Sequence, residues 1–208
     1  MDGVLCDSEP FICEAARQMF AESYNVRVKP DDFKPGVGAG EDRYLGVVAE
    51  KYNIKFNLQR DKKRTYEIYL QMIKGRLTPL AGVHDFINAG KQGGLRLAVA
   101  SSADRIKVDG NLAQIGLPPR LFNAVVCGSD IANKKPAPDI FSAAAARLGL
   151  EPRHCLVVED APNGIVAAHA AGCPSLGITT SFSAAELHAA GATWVAPDLA
   201  HVPPAVWH

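Results

Sequence analysis

Leu95-Arg96-Leu97-Ala98-Val99-Ala100-Ser101-Ser102-Ala103-Asp104 is the stretch on which the fold turns. A short, nearly continuous apolar run stops at two hydroxyls, and a helical pattern follows over 104–115. A strand buried on both faces reads this way, and such strands belong to parallel sheets. The texture repeats downstream. Apolar runs at 124–127, 155–158 and 175–178, with a weaker one at 193–195, alternate with helical segments at 83–91, 138–148, 162–171 and 183–189. The pattern predicts an α/β architecture with a Rossmann-like parallel sheet.

Before residue 80 the texture is helical. Phe11, Ile12, Ala15, Ala16, Met19 and Phe20 recur at helical spacing over 9–24. A breaker-rich loop with Pro35, Gly36, Gly38 and Gly40 follows, then helical patterns over 41–52 and 58–73. Residues 75–82 read as a hinge. The expected organisation is an α/β core of residues 1–8 and 79–208, with residues 9–78 as a small helical unit.

Bulk composition narrows the function classes. The 22 basic residues balance the 22 acidic ones, which argues against nucleic acid or an anionic membrane as partner. No apolar run is long enough for a membrane-spanning helix. Five scattered cysteines, odd in number and without a C-x-x-C pair, fit a reducing compartment better than a disulfide framework.

In open parallel sheets, ligands bind beyond the carboxyl ends of the strands. Ser101 and Ser102 follow the first apolar run. They suit either an N-cap or a phosphate site built from hydroxyls and free N–H groups. Lys135, in Lys134-Lys135-Pro136-Ala137-Pro138-Asp139, is a solvated lysine or a compact charge held rigidly for a phosphoryl oxygen. Glu159 and Asp160 are adjacent acids that either cap the next helix or share a bound cation. Hard oxygen donors with room for water suit Mg²⁺. Each feature alone has a bland reading. Together they bring hydroxyl, countercharge and acid pair to one sheet edge, which is what phosphoryl transfer requires.

Four segments carry a family resemblance: Asp2-Gly3-Val4-Leu5-Cys6-Asp7-Ser8-Glu9, Val99-Ala100-Ser101-Ser102, Lys135-Pro136-Ala137-Pro138-Asp139-Ile140-Phe141 and Val158-Glu159-Asp160-Ala161-Pro162-Asn163-Gly164-Ile165. The chain resembles the haloacid dehalogenase superfamily, in the β-phosphoglucomutase-like branch with an inserted α-helical cap. Val37-Gly38-Ala39-Gly40-Glu41 and residues 100–109 further resemble the hydrolase domain of a plant chloroplast protein, so the chloroplast stroma joins the cytoplasm as an expected location.

The resemblance implies a Mg²⁺-dependent phosphatase of small phosphorylated metabolites, working through an aspartyl-phosphate. Asp2 matches the acid/base aspartate, and its backbone carbonyl would join the metal shell with Glu159 and Asp160. Ser101 and Ser102 match the phosphate-binding segment, and Lys135 the charge-balancing lysine. The cap loop with Gly38, Gly40, Glu41 and Arg43 would face the substrate. An acidic Glu41 weighs against a sugar phosphomutase, where a basic residue is expected. The matching nucleophile would stand two positions before Asp2, outside these 208 residues. The expectation is therefore that Met1 is internal to a longer, multidomain protein, and that the first central strand is missing from this chain. A binding or regulatory domain without turnover is the alternative.

Overall fold

A computed structural model describes residues 1–37 and 40–207. Three helices come first: α1 (Glu9–Tyr24), α2 (Glu41–Lys51) and α3 (Leu58–Ile73). They pack on one another around an aromatic cluster in which Phe33 stacks on Tyr44 at 4.7 Å and Phe20 on Phe56 at 6.0 Å. Burial of such rings dominates the energetics of a small helical layer. Helix α3 starts at Asn57, whose side chain accepts from the Arg60 N–H and caps the first turn.

The α/β part alternates strictly: α4 (Val83–Gln92), β1 (Ala98–Ala100), α5 (Arg105–Gln114), β2 (Ala124–Val126), α6 (Asp139–Leu148), β3 (Val157–Glu159), α7 (Pro162–Ala171), β4 (Ser175–Ile178), α8 (Ala184–Ala189) and β5 (Trp194–Ala196). Among the described residues the five strands pair in parallel, as the continuous apolar runs require, and a single antiparallel bridge joins Cys6 to Pro79. The strands form two sheets, β1–β2 and β3–β4–β5. Every residue of β4 is buried, while α6 covers β1 and β2, and α7 lies against β3 and β4. The fold is the α/β, Rossmann-like arrangement that the sequence predicts.

Strand boundaries differ from the predicted ones. Leu95 belongs to no strand: its N–H closes back on Gly90 O at the end of α4, and its side chain is exposed. Cys155 completes the turn at Pro152–His154, so β3 starts only at Val157 and includes Glu159. The last strand runs through Ala196. Helical and α/β parts meet where α3 packs against α5, and the Tyr69 hydroxyl donates to Asn111 Oδ1 in that buried seam. All five cysteines are free. Among the described residues, no helix is long and apolar enough to cross a membrane.

Candidate active site

The opening residues fold into a tight turn, with the Leu5 N–H on Met1 O at 2.8 Å and the Gly3 N–H on Cys6 O at 2.9 Å. The Leu80 N–H donates to Leu5 O at 3.0 Å, which ties this turn to the start of the α/β layer. Gly3 has φ +67°, and a Cβ there would lie 1.9 Å from Asp160 Oδ2. Only glycine lets the backbone pass so close to that acid.

Asp2 is held from two sides. The Ser8 hydroxyl donates to Oδ1, and Lys107 Nζ stands 3.4 Å from Oδ2. Ser8 occupies the N-cap of α1 yet makes no capping bond; its hydroxyl is spent on Asp2 instead. Desolvation acts to raise the Asp2 carboxyl, but Lys107, the Met1 amino group and Ser8 together outweigh it and hold the group below its ordinary range. Lys107 is buried, and its ammonium also reaches Glu41 Oε1 at 3.4 Å. Burial works against that charge, yet the two carboxylates prevail and raise its proton affinity.

Glu159 is buried at the end of β3 and accepts from Lys135 Nζ. Burial would raise its carboxyl, but the Lys135 charge lowers it overall. The Lys135 ammonium also sits 4.8 Å from the Phe141 ring centroid. Asp160 accepts from the Ser181 hydroxyl at 2.5 Å, and burial with the neighbouring Glu159 charge pushes it up to about 6. Crowded carboxylates of this kind, with hard oxygen donors, fit a divalent cation. The Asp2 carbonyl, Glu159 and Asp160 would hold it. Among the described residues, no three His, Cys, Asp or Glu side chains form a metal-holding group.

Ser101 follows β1, is buried, and hydrogen-bonds through its backbone N–H to Val126 O at 3.0 Å. It is not the helix cap, since α5 starts after Asp104. Its Oγ accepts from the Ala103 N–H at 3.3 Å, while Ser102 Oγ is buried without a partner. One cavity of about 160 Å³ is lined by Asp2, Ser101, Ser102, Lys135, Glu159 and Asp160, and by Gly40 and Glu41 of the helical part. The structure thus gathers nearly all the residues singled out in the sequence.

One expectation differs. Arg43 does not line this cavity; it pairs with Glu50 at 2.7 Å on the exposed face of α2. At 100° per residue, two positions beyond Glu41 turn it to the opposite side of the helix. Gly38 lies outside the described residues. The sequence assigns no site role to Ser8, Lys107, Glu9 or Tyr44, whose hydroxyl donates to Glu9 Oε1 at 2.8 Å on the cavity wall.

Residues 1–178 match the family described as haloacid dehalogenase-like hydrolase. The chain is 42% identical over 205 residues to Protein SUPPRESSOR OF QUENCHING 1, chloroplastic, of Arabidopsis thaliana. That match takes in 97% of this chain but only 19% of the plant protein's length. It is 33% identical over 172 residues to the Phosphorylated carbohydrates phosphatase of Thermotoga maritima, covering 83% of this chain and 79% of that protein. The crystal structure of CbbY from Rhodobacter sphaeroides in complex with phosphate shares the fold, with a TM-score of 0.85 at 24% identity over 96% of this chain and 92% of that one. The chain belongs to the haloacid dehalogenase-like hydrolase family.

Proposed function

We propose that the site hydrolyses the phosphate monoester of a small metabolite with the help of Mg²⁺. The observation that carries this reading is the convergence on one cavity of Ser101, Lys135, Glu159 and Asp160 around Asp2. Ser101 and the free hydroxyl of Ser102 would take phosphoryl oxygens, and Lys135 would balance their charge. Asp2, within reach of the Ser8 hydroxyl, would protonate the leaving oxygen and then take a proton from the attacking water. A bound Mg²⁺ would supply Lewis-acid stabilisation of the phosphoryl charge. Residues 9–78 would act as the cap that closes the cavity.

This route needs a carboxylate nucleophile two positions before Asp2, which would form the aspartyl-phosphate. The 208 residues do not include it. A strand carrying it between β1 and β3 is part of the proposal, and so is a chloroplast location, which rests on the likeness to the plant protein. The assay is phosphate release from a panel of phosphoesters by protein carrying the upstream residues, with and without Mg²⁺. Release that needs Mg²⁺ and disappears in Asp2→Asn is expected. No release from any ester overturns the reading and favours a binding domain without turnover.

A further inference from the structure

Two of the five free cysteines fall in register at the amino-terminal ends of neighbouring strands. β3 and β4 pair in parallel with Val157 opposite Ser175, and the Val157 N–H donates to Pro174 O at 3.0 Å. Two residues back on each chain, Cys155 stands opposite Cys173. Both stretches run extended. Cys155 has φ −115° and ψ 116°, and Pro174 pushes the residue before it to extended backbone. Neighbouring strands lie about 4.8 Å apart, inside the window of about 4.4–6.8 Å between Cα atoms that a disulfide spans.

The side chains also share a face. Side chains two apart on an extended chain point the same way, so Cys155 follows Val157. Cys155, Val157 and Cys173 all pack into one apolar cluster with Val126, Ile140 and Ala168. Burial pushes the Cys173 thiol up to about 11, and the Cys155 thiol beside it adds to the shift. Access differs between the two. Cys173 is 6% exposed, whereas Cys155 is partly exposed and its thiol rests on Glu151 O at 3.5 Å. One thiol within reach of solvent and one buried behind it suit an attacking and a resolving cysteine.

We propose that Cys155 and Cys173 form a reversible disulfide site, oxidised by exchange with a small-molecule disulfide such as oxidised glutathione. The Cys155 thiolate attacks one sulfur of that disulfide, forming a mixed disulfide and releasing one thiol. Cys173 then attacks Cys155 Sγ, the protein disulfide closes, and the second thiol leaves. The two thiol protons end on the two released thiols, and two electrons pass to the small disulfide. The bond closes residues 155–173 into a loop that carries Glu159, Asp160 and the whole of α7. Glu159 lies four residues further along, about 13 Å at the rise of a strand, so the bond fastens this segment without entering the cavity.

The test incubates the full chain with oxidised glutathione at mildly alkaline pH, where more of the raised thiols ionise. The protein is then denatured, its remaining thiols are alkylated, and its peptides are mapped without reduction. Two of the five thiols should be protected, in one linked peptide pair joining Cys155 to Cys173 that dithiothreitol reverses. Cys173→Ala should stop at the mixed disulfide, with one glutathione on Cys155. Cys155→Ser should give neither the linkage nor glutathione on Cys173. In the linked protein, amides of α7 should exchange with deuterium severalfold more slowly, and the thermal midpoint should rise by several degrees. All five thiols still free in the wild type overturn the site. So does a linkage between any other pair, or glutathione held on wild-type Cys155 with Cys173 still free. Unchanged exchange in α7 of the linked protein overturns the fastening. No readout here needs turnover, so the phosphatase reading is tested separately.

Discussion

Lys107 Nζ stands 3.4 Å from Asp2 Oδ2 within a largely buried contact, and it is the cation that faces the opening turn from α5. Removing one member of a buried charge cluster costs more than the cluster contributes, because the remaining charges are left in low dielectric. Lys107→Met should therefore destabilise the protein by about 3–5 kcal/mol. Adding Glu41→Leu to Lys107→Met should recover part of that loss. A urea double-mutant cycle measures the coupling, and strict additivity would rule out the ion pair as its source.

Lys135 and Glu159 form the second buried pair, with side chains 8% and 7% exposed. Lys135→Met leaves Glu159 without its cation and the proposed phosphoryl group without countercharge. Turnover should fall by about a hundredfold or more. Inorganic phosphate, titrated calorimetrically, should bind more weakly in the same variant. Phosphate affinity at the wild-type level would remove Lys135 from the phosphate site.

Gly164 lies in the first turn of α7, and a Cβ there would come within 2.2 Å of Glu159 Cδ. Gly164→Ala should displace the Glu159 carboxylate while leaving the helix intact, since alanine is the better helix former. The expected outcome is a loss of turnover of about tenfold or more and a higher Mg²⁺ requirement, with an unchanged circular dichroism spectrum. Normal Mg²⁺ dependence would show that Glu159 does not hold the metal.

Asp32 gives the fold an acid limit. Its side chain is 2% exposed and accepts from Lys51, from the Tyr52 hydroxyl at 2.6 Å and from the Lys29 N–H at 2.8 Å. The Lys51 bond leads, and together these donors bring its carboxyl down to about 2 from 3.8. The folded value lies below the unfolded one, so this stabilisation is complete above the unfolded value and is lost as pH falls towards 2. Asp32→Ala should cost about 2–3 kcal/mol near neutrality, by loss of three hydrogen bonds. It should also flatten the decline of stability between roughly pH 4 and pH 2. Thermal melts across that range test both.

Sequence made the parallel sheet legible because strands covered on both faces read as nearly continuous apolar runs, and every residue of β4 is buried. The acid pair, Lys135 and Ser101 were legible because each follows an apolar run by a fixed topological rule. Lys107 escaped because a single lysine in a helix normally signals a solvated face. Its spacing did carry a signal: the buried side of α5 holds Lys107, Val108, Asn111 and Leu112, and two polar residues four apart on an apolar face call for partners. Ser8 escaped for a different reason. Its position and type both satisfy an N-cap, and nothing local reveals that the hydroxyl turns to Asp2. Arg43 is placed with the cap loop by the resemblance, but α2 begins at Glu41, and two residues into a helix the side chain has turned away from the face that Glu41 presents.

Glu41 belongs to α2 and Lys107 to α5, so a displacement of α2 away from α5 would separate the acid from its ammonium. A buried ion pair sits near energetic balance, since the water each partner regains on separation offsets most of the lost attraction. Such a contact fixes where the helix comes to rest without deciding how long it stays there.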